Sequence, residues 1–233
     1  MKLLWNKSEI AKPNEILRLW GIIQNSVGFN PLQKITSTSK PYGIRKDVFV
    51  NYKKYGLAEF NEKQMDKTDI KVYGSFGETR FVPFNYALPQ KTMAFNKYKV
   101  LVGSAWGNMS ENAGLGGAYA NVIIAKPYEI CTETYQESGC FDSIETAKKH
   151  AKYLLTKFAR ALLYVFKISQ MSTNAWGAVP VQDYSESWWN KSMSEIDQEL
   201  IKKYRIPNDI AEFIDKNIQT KDESNIINFN DCN

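Results

Sequence analysis

Histidine and cysteine are scarce in this 233-residue chain, which has one histidine and three cysteines. Spacing assigns no acidic or hydroxyl partner to His150, so the sequence does not support Ser/His/Asp or Cys/His catalysis. We expect this histidine to be a surface residue of a helix. An odd number of cysteines without zinc-like pairing indicates neither a disulfide framework nor a structural metal. We therefore expect reduced thiols.

Long apolar runs are also missing. No stretch reaches the roughly 18 uncharged residues that a membrane span needs. The start, MKLLWNKSEI, lacks the long apolar region and the cleavage site of a signal peptide. These absences predict a cytoplasmic protein with no membrane partner.

Nucleotide-binding motifs are absent as well, since the chain has no P-loop, no dinucleotide fingerprint and no methyltransferase NPPY tetrapeptide. GLGG at 114–117 lies between two predicted strands, whereas a phosphate-binding loop opens a helix. FDSIETAKK at 141–149 supplies Asp142, Glu145 and Lys148, the residue types of a metal-dependent nuclease, but helix capping by Asp142 explains the same pattern. We expect no cofactor, no metal and no catalytic residue in this chain.

Positive charge is present in two blocks. Lys and Arg outnumber Asp and Glu by only 30 to 25. Residues 40–100 nevertheless hold twelve basic and six acidic side chains, and residues 147–180 hold six basic and no acidic ones. Residues 181–233 hold six basic and eleven acidic ones. Such blocks indicate a surface for a polyanion, although charge runs are often simply solvated faces.

Hydrophobic periodicity predicts a helix at the start of the chain, over about 14–27, and two helices at its end, SEIDQELIKKY and DIAEFIDKNI. Runs rich in Val, Ile, Tyr and Phe predict strands between them: DVFVN, IKVYGSF, TRFVPF, KYKVLVGSAW and NVIIAKPYEI. The predicted fold class is α+β. We expect a central twisted mixed or antiparallel sheet, with a long amphipathic helix and the C-terminal helices packed on it.

The long amphipathic helix is predicted to begin near Ser143 and to carry the second basic block. Asp142 or Ser143 can act as its N-cap. At about 100° per residue, its apolar residues fall in one arc. The basic residues on the opposite side are Lys149, Arg160 and Lys167. We therefore expect one buried face and one exposed cationic face.

Several segments, in this order along the chain, resemble the C-terminal part of a fused type II restriction-modification family. They are TETY at 132–135, FDSIETA at 141–147, TKFARALL at 156–163, SQ at 169–170, VPVQDY at 179–184 and KKYRIPNDIAEFI at 202–214. SKPYGIRKD at 39–47 and KYKVLVGSAWG at 97–107 are similar to two upstream elements. Members of the family join an adenine-N6 DNA methyltransferase, and often an endonuclease, to a target recognition domain.

We expect residues 1–190 to be the target recognition domain, 191–219 to be a helical extension packed on it, and the polar residues 220–233 to be a flexible tail. The resemblance implies a fragment or separate specificity module, whose methyltransferase half, with its S-adenosylmethionine, is not in this chain. The implied partners are double-stranded DNA and a methyltransferase domain or subunit, which the acidic closing helices are expected to contact. Ser104 stands where the family pattern has a lysine, and MSTNAW at 171–176 replaces a basic stretch.

A recognition domain needs cations for phosphates and polar loop residues for base edges. The expected phosphate contacts are Lys40, Arg45, Lys97, Lys157, Arg160 and Lys167. The expected base contacts lie in two polar loops: Ser104, Trp106, Asn108, Gln170, Ser172 and Asn174. Asn and Gln suit a bidentate contact with adenine, although loop capping also explains Gln170 and Asn174. Trp176, Trp188 and Trp189 are expected to pack in a core or interface.

Two other classes of function stay open. One is a small metal-dependent type II restriction endonuclease, and the other is a protein-interaction module whose basic face meets an acidic partner. The segment VYGSFGETRF at 72–81 is predicted to form a hairpin tip, where Ser75 and Arg80 are weaker candidates for DNA contacts.

Overall fold

The computed structural model describes residues 13–103, 121–166 and 173–230 of the chain. These residues form a mixed α+β fold with six α-helices and two open sheets, which confirms the predicted fold class. None of the helices in these ranges is long and apolar enough to cross a membrane.

In the described part of the chain, six of the seven strands lie consecutively between the second and third α-helices, and four α-helices follow them before the last strand. The helices are α1 (Asn14–Gln24), α2 (Val48–Asn51), α3 (Ile144–Leu155), α4 (Lys157–Phe166), α5 (Met193–Lys203) and α6 (Asn208–Asn217). The strands are β1 (Ile70–Tyr73), β2 (Thr79–Val82), β3 (Tyr98–Gly103), β4 (Val122–Ala125), β5 (Ile130–Cys131), β6 (Tyr135–Phe141) and β7 (Ile226–Ile227).

The four-stranded sheet has the order β6-β3-β4-β7 and lies at the centre of the molecule. β3 pairs antiparallel with β4 and β6, and β4 pairs parallel with β7. Alternate side chains of a strand point to opposite faces. Val100 and Val102 therefore join the core beneath the helices, whereas Leu101 joins the core on the other face. Because both faces of β3 are buried, its central residues form a continuous apolar run.

The helical layer, made of α1 and α3 to α6, covers one face of this sheet. α3 lies on β3, β4 and β6, and α4 packs against α1, α5 and α6. The core includes Trp176 and Trp189, both fully buried, with Trp188 stacked on Trp189 at 4.1 Å between ring centroids. The expectation that these tryptophans pack in the core is confirmed.

The small lobe, residues 40–95 together with β5, covers the other face. Its three-stranded sheet has the order β2-β1-β5, with β1 antiparallel to β2 and parallel to β5. Buried side chains of this sheet pack with those of the loop before it, such as Tyr42 and Phe60, and with Leu101 and Ile123 of the central sheet. The central sheet is therefore enclosed between the helical layer and the small lobe.

Three expectations from the sequence are wrong. DVFVN predicted a strand, but these residues form α2, followed by a 3₁₀ turn at Tyr52–Tyr55. The single long helix is two helices, because Thr156 leaves the helical conformation with φ −57° and ψ 150°. The expected flexible tail contributes β7 to the central sheet, and Ile226 is buried there.

Candidate nucleic-acid interface

The junction between α3 and α4 is capped by two side chains. Thr156 Oγ1 accepts a hydrogen bond from Ala159 N at 3.1 Å. The carboxylate of Asp197, on α5, accepts hydrogen bonds from Lys157 N at 3.0 Å and Phe158 N at 2.9 Å. These bonds satisfy amides of the first turn of α4 that have no partner within the helix. Burial raises the pKa of Asp197 to about 6, although the two amides lower it.

The basic residues of α4 are used inside the fold. Arg160 is fully buried, and its guanidinium donates a hydrogen bond to the carbonyl of Gln219. Lys157 Nζ lies 2.6 Å from Asp215 Oδ1 and 2.8 Å from the carbonyl of the same residue. These contacts join α4 to α6 and to the segment after it. The prediction that Arg160 lies on an exposed cationic face is therefore wrong, and Lys157, predicted as a phosphate contact, is paired with a carboxylate of the protein.

The basic residues of α3 also contact the protein. Lys149 Nζ donates a hydrogen bond to the carbonyl of Tyr184 at 3.0 Å. Lys152 is buried, and its Nζ lies 2.5 Å from a carboxylate oxygen of Glu223. In the described residues, the second basic block thus holds the helical layer together rather than presenting a cationic face.

Lys97, a predicted phosphate contact just before β3, and Lys99, within β3, both contact groups of the protein itself. Lys97 forms an ion pair with Asp142, and the N-cap of α3 is Ser143, whose hydroxyl accepts a hydrogen bond from Thr146 N. Lys99 is fully buried, and its ammonium donates hydrogen bonds to the carbonyls of Ala94 at 2.9 Å and Lys97 at 3.0 Å. Burial lowers the pKa of Lys99 to about 8.

A different basic surface lies in residues 40–54 of the small lobe, which we call the basic segment. Its cations are Lys40, Arg45, Lys46, Lys53 and Lys54. Lys40 is half-buried, and the other four are exposed. Of these five cations, only Arg45 forms an ion pair with a described residue, at 3.6 Å from Glu133. Four cations of the basic segment therefore have no carboxylate in contact.

The first half of the basic segment has a fixed backbone. Gly43 has a φ of +72°, and a Cβ at this position would lie 2.8 Å from Pro89 Cβ, so only glycine fits. The neighbouring Tyr42 is buried, and its hydroxyl donates a hydrogen bond to the buried carboxylate of Glu137. Burial raises the pKa of Glu137. These contacts hold the loop that carries Lys40.

The second half of the basic segment holds its own carboxylate with hydrogen bonds. Asp47 is the one acidic residue between positions 40 and 54. It accepts hydrogen bonds from the Tyr55 hydroxyl at 2.7 Å and from Asn51 Nδ2 at 3.0 Å, and these bonds lower the pKa of Asp47. Lys53 and Lys54, on the turn that follows α2, are exposed, and each ammonium group lies over the ring of a neighbouring tyrosine, 5.8 and 5.5 Å from the ring centroids.

Most of the predicted base-reading residues lie outside the described residues. These are Ser104, Trp106, Asn108, Gln170 and Ser172, and Lys167 lies outside them too. The backbone of Asn174 lies in the 3₁₀ turn Thr173–Ala178, but its side chain is not among the described parts of the structure. Their roles stay predictions. Of the predicted phosphate contacts, Lys40 and Arg45 lie in the basic segment.

His150 belongs to a buried cluster that sequence reasoning missed. The expectation of a surface position is wrong, because this side chain is fully buried. Its Nε2 lies 2.8 Å from Ser138 Oγ and its Nδ1 lies 2.6 Å from the Tyr184 hydroxyl. Burial lowers the pKa of His150 to about 3. Because Ser138 is also fully buried, the cluster supports packing and gives no accessible nucleophile.

A cleft with a volume of about 730 Å³ lies between α5 and α6. Both apolar and charged side chains line it, among them Ile201, Ile214, Lys202 and Glu212. It belongs to the helical layer, on the opposite side of the central sheet from the small lobe. The expectation that these closing helices contact a methyltransferase part stays a prediction.

Comparisons with known proteins do not assign the chain to a family. No family model and no curated protein matches the chain.

Proposed function

We propose that this chain binds double-stranded DNA as the target recognition domain of a restriction-modification adenine-N6 methyltransferase. Two things support the proposal: the ordered resemblance of its motifs to that family, and the basic segment. The observation that carries it is that four cations of the basic segment have no carboxylate in contact among the described residues. Cations without a carboxylate partner on a fixed loop and turn suit contacts with phosphates, because neutralised phosphates release their counterions.

In this proposal, the basic segment replaces the α3–α4 helices as the part that holds the DNA backbone. Lys and Arg contacts with phosphates position the duplex but do not read its sequence. Reading is assigned to the polar loops of the sequence prediction, with Gln170 and Asn174 as candidates for contacts with adenine.

The chemistry is assigned to another part of the system. The chain is proposed to carry no catalytic residue and to bind no cofactor, and the methyltransferase domain or subunit is proposed to supply S-adenosylmethionine. A role on DNA suits the cytoplasmic location expected from the sequence. In the described residues, Asp142 and Glu145, which resemble part of a nuclease site, contact Lys97 and Lys148. Cleavage of a plasmid in the presence of magnesium, abolished by Glu145→Ala, would favour the endonuclease alternative.

The first prediction concerns the salt dependence of DNA binding. We expect the protein to bind random-sequence duplexes with an affinity that falls as salt rises. The double variant Lys53→Gln/Lys54→Gln is expected to bind more weakly and to reduce the log-log salt slope by up to about 2, because each neutralised phosphate contributes about 0.9. Fluorescence anisotropy at several salt concentrations measures both effects.

The matched control removes the same charge from the helical layer. Lys202→Gln/Lys216→Gln changes two exposed lysines of α5 and α6. This variant is expected to keep most of the wild-type affinity and slope. Equal losses in the two double variants would mean that net charge, and not the basic segment, governs binding. A complete lack of DNA binding by the wild-type protein would refute the proposed function.

A further inference from the structure

The tip of the β1–β2 hairpin places a phenylalanine in solvent. Phe76 is fully exposed, and its φ of 55° lies in the left-handed region. That region disfavours bulky side chains and is usually occupied by Gly, Asn or Asp. An apolar residue at this position gains nothing from burial and strains the backbone. Folding therefore does not explain Phe76, and such strain at a loop tip points to a function.

Contacts on both sides of Phe76 hold the tip in place. Gly74 N donates a hydrogen bond to the carbonyl of Glu78 at 2.8 Å, which closes the turn. Ser75 Oγ lies 3.0 Å from Thr134 Oγ1, in the loop between β5 and β6. The ring of Phe76 thus protrudes from an anchored backbone.

The tip adjoins the basic segment. Phe49 of α2 packs on Gly74 so closely that a Cβ at Gly74 would collide with the ring. Glu133, in the loop that the tip contacts, lies 3.6 Å from the guanidinium of Arg45 and accepts a hydrogen bond from Lys46 N at 3.2 Å. The hairpin tip and the basic segment therefore adjoin each other in the fold.

A protruding ring beside free cations fits a ligand with negative charge outside and flat apolar surfaces inside. Duplex DNA has this arrangement, with phosphates outside and stacked bases within. Apolar side chains such as Phe insert between base steps, unstack them and kink the duplex. Because the proposed function is DNA binding, duplex DNA is preferred to an acidic protein partner as the occupant.

We propose that Phe76 is a wedge that inserts between adjacent base pairs of duplex DNA whose phosphates are held by the basic segment. This inference rests on the proposed function and extends it to the way in which the duplex is deformed. It adds a DNA contact in the hairpin, between the two weaker candidates, Ser75 and Arg80. In the described residues Arg80 lies 2.6 Å from Glu78, and Ser75 anchors the tip.

The second prediction tests the wedge with two duplexes that differ by one central mismatch. A mismatched step is easier to unstack than a paired one, so the wild-type protein is expected to bind the mismatched duplex several-fold more tightly. Phe76→Ala is expected to bind the paired duplex about tenfold more weakly and to lose the preference for the mismatch. Phe76→Trp keeps an aromatic ring and is expected to keep the preference. Anisotropy measures affinity, and 2-aminopurine next to the mismatch reports unstacking.

The control variant is Val27→Ala, which truncates another fully exposed apolar side chain, outside the small lobe. It is expected to behave as the wild-type protein does. Thermal unfolding of each variant shows that the fold is intact, since Phe76 makes no buried contact.

The outcomes separate the wedge from the proposed function. Salt-dependent binding of the wild type, with the same affinity and mismatch ratio in Phe76→Ala, would overturn the wedge and leave DNA binding in place. Failure of the wild type to bind either duplex at any salt concentration would overturn both. Loss of the mismatch preference and of the 2-aminopurine signal in Phe76→Ala alone would support the wedge.

Discussion

At the hairpin tip, Phe76 occupies a backbone conformation that glycine adopts without steric conflict. In L-residues other than glycine, the left-handed conformation brings Cβ close to the following carbonyl oxygen. The side chain of Phe76 is fully exposed, so no burial offsets this strain. A variant that relieves the strain therefore separates the stability of the fold from the proposed contact with DNA.

The third prediction is that Phe76→Gly stabilises the protein while it weakens DNA binding. The gain in free energy of unfolding is expected to be about 1 kcal/mol, because relief of left-handed strain exceeds the added chain entropy. Urea unfolding measures this change. Val50→Gly, at an exposed position of α2, is the control with opposite sign, since glycine in a helix destabilises by up to about 1 kcal/mol. A loss of stability in Phe76→Gly would contradict the strain argument.

The chemistry of single residues was only partly predictable from the sequence. His150 was expected at the surface because no partner lies at a helical spacing from it. Its partners, Ser138 and Tyr184, are 12 and 34 residues away and reach it through β6 and the loop before α5. Local spacing carries no information on such contacts, whereas the preference of tryptophan for buried sites correctly predicted Trp176 and Trp189.

Among the elements, the α3–α4 junction shows how a distant residue ends a helix. The apolar periodicity continues through Thr156, so it predicts a single helix over both elements. The break is stabilised by Asp197, whose bonds to Lys157 N and Phe158 N span 40 and 39 positions of sequence. With this cap in place, α4 forms a separate helix, and its residue Arg160 is buried.

The fourth prediction concerns this cap. Asp197→Ala is expected to destabilise the protein by about 1–2 kcal/mol, because two amides in the first turn of α4 lose their acceptor. The change is measured by urea unfolding at neutral pH. Glu199→Ala, on the same helix, removes an ion pair with Lys191 near the surface and is expected to change stability by less than about 1 kcal/mol. Similar losses in the two variants would contradict a specific capping role.

For the whole molecule, buried ionisable groups make opposing contributions to the change in stability as the pH falls. The pKa of His150 falls from 6.5 to about 3 on burial, so the unfolded chain binds its proton first, and stability is lost as the pH falls below about 6.5. The pKa of Asp197 rises from 3.8 to about 6 on burial, so the folded protein gains stability as the pH falls through about 6 towards 3.8. Glu137, whose pKa is also raised by burial, acts in the same direction as Asp197.

The fifth prediction is that His150→Gln makes the loss of stability in acid less steep. Each fully shifted group changes the free energy of unfolding by up to about 1.4 kcal/mol per pH unit. The variant is expected to be less stable than the wild type near neutral pH, because it loses contacts with Ser138 and Tyr184, and the two curves are expected to converge as the pH falls. Urea unfolding over the acid range gives both curves. Parallel curves would show that His150 does not govern the response.

Charge is also separated across the whole molecule. The basic segment lies in the small lobe, on one face of the central sheet, and α5 and α6 of the acidic C-terminal region lie in the helical layer on the other. Such a distribution orients a polyanion towards the small lobe. The sequence showed an excess of basic residues in one region and an excess of acidic residues in the other, but their placement on opposite faces follows from the sheet between them.

By itself, the sequence determined the α+β class, most of the strands and the closing helices, because these depend on hydrophobic period and local propensity. Only the tertiary structure decided which cations are free. Lys97 and Lys157 meet Asp142 and Asp215, which are 45 and 58 positions away, and Arg160 is buried. The availability of a charge depends on the groups around it in space, so the fold moved the candidate interface from the long helix to the basic segment.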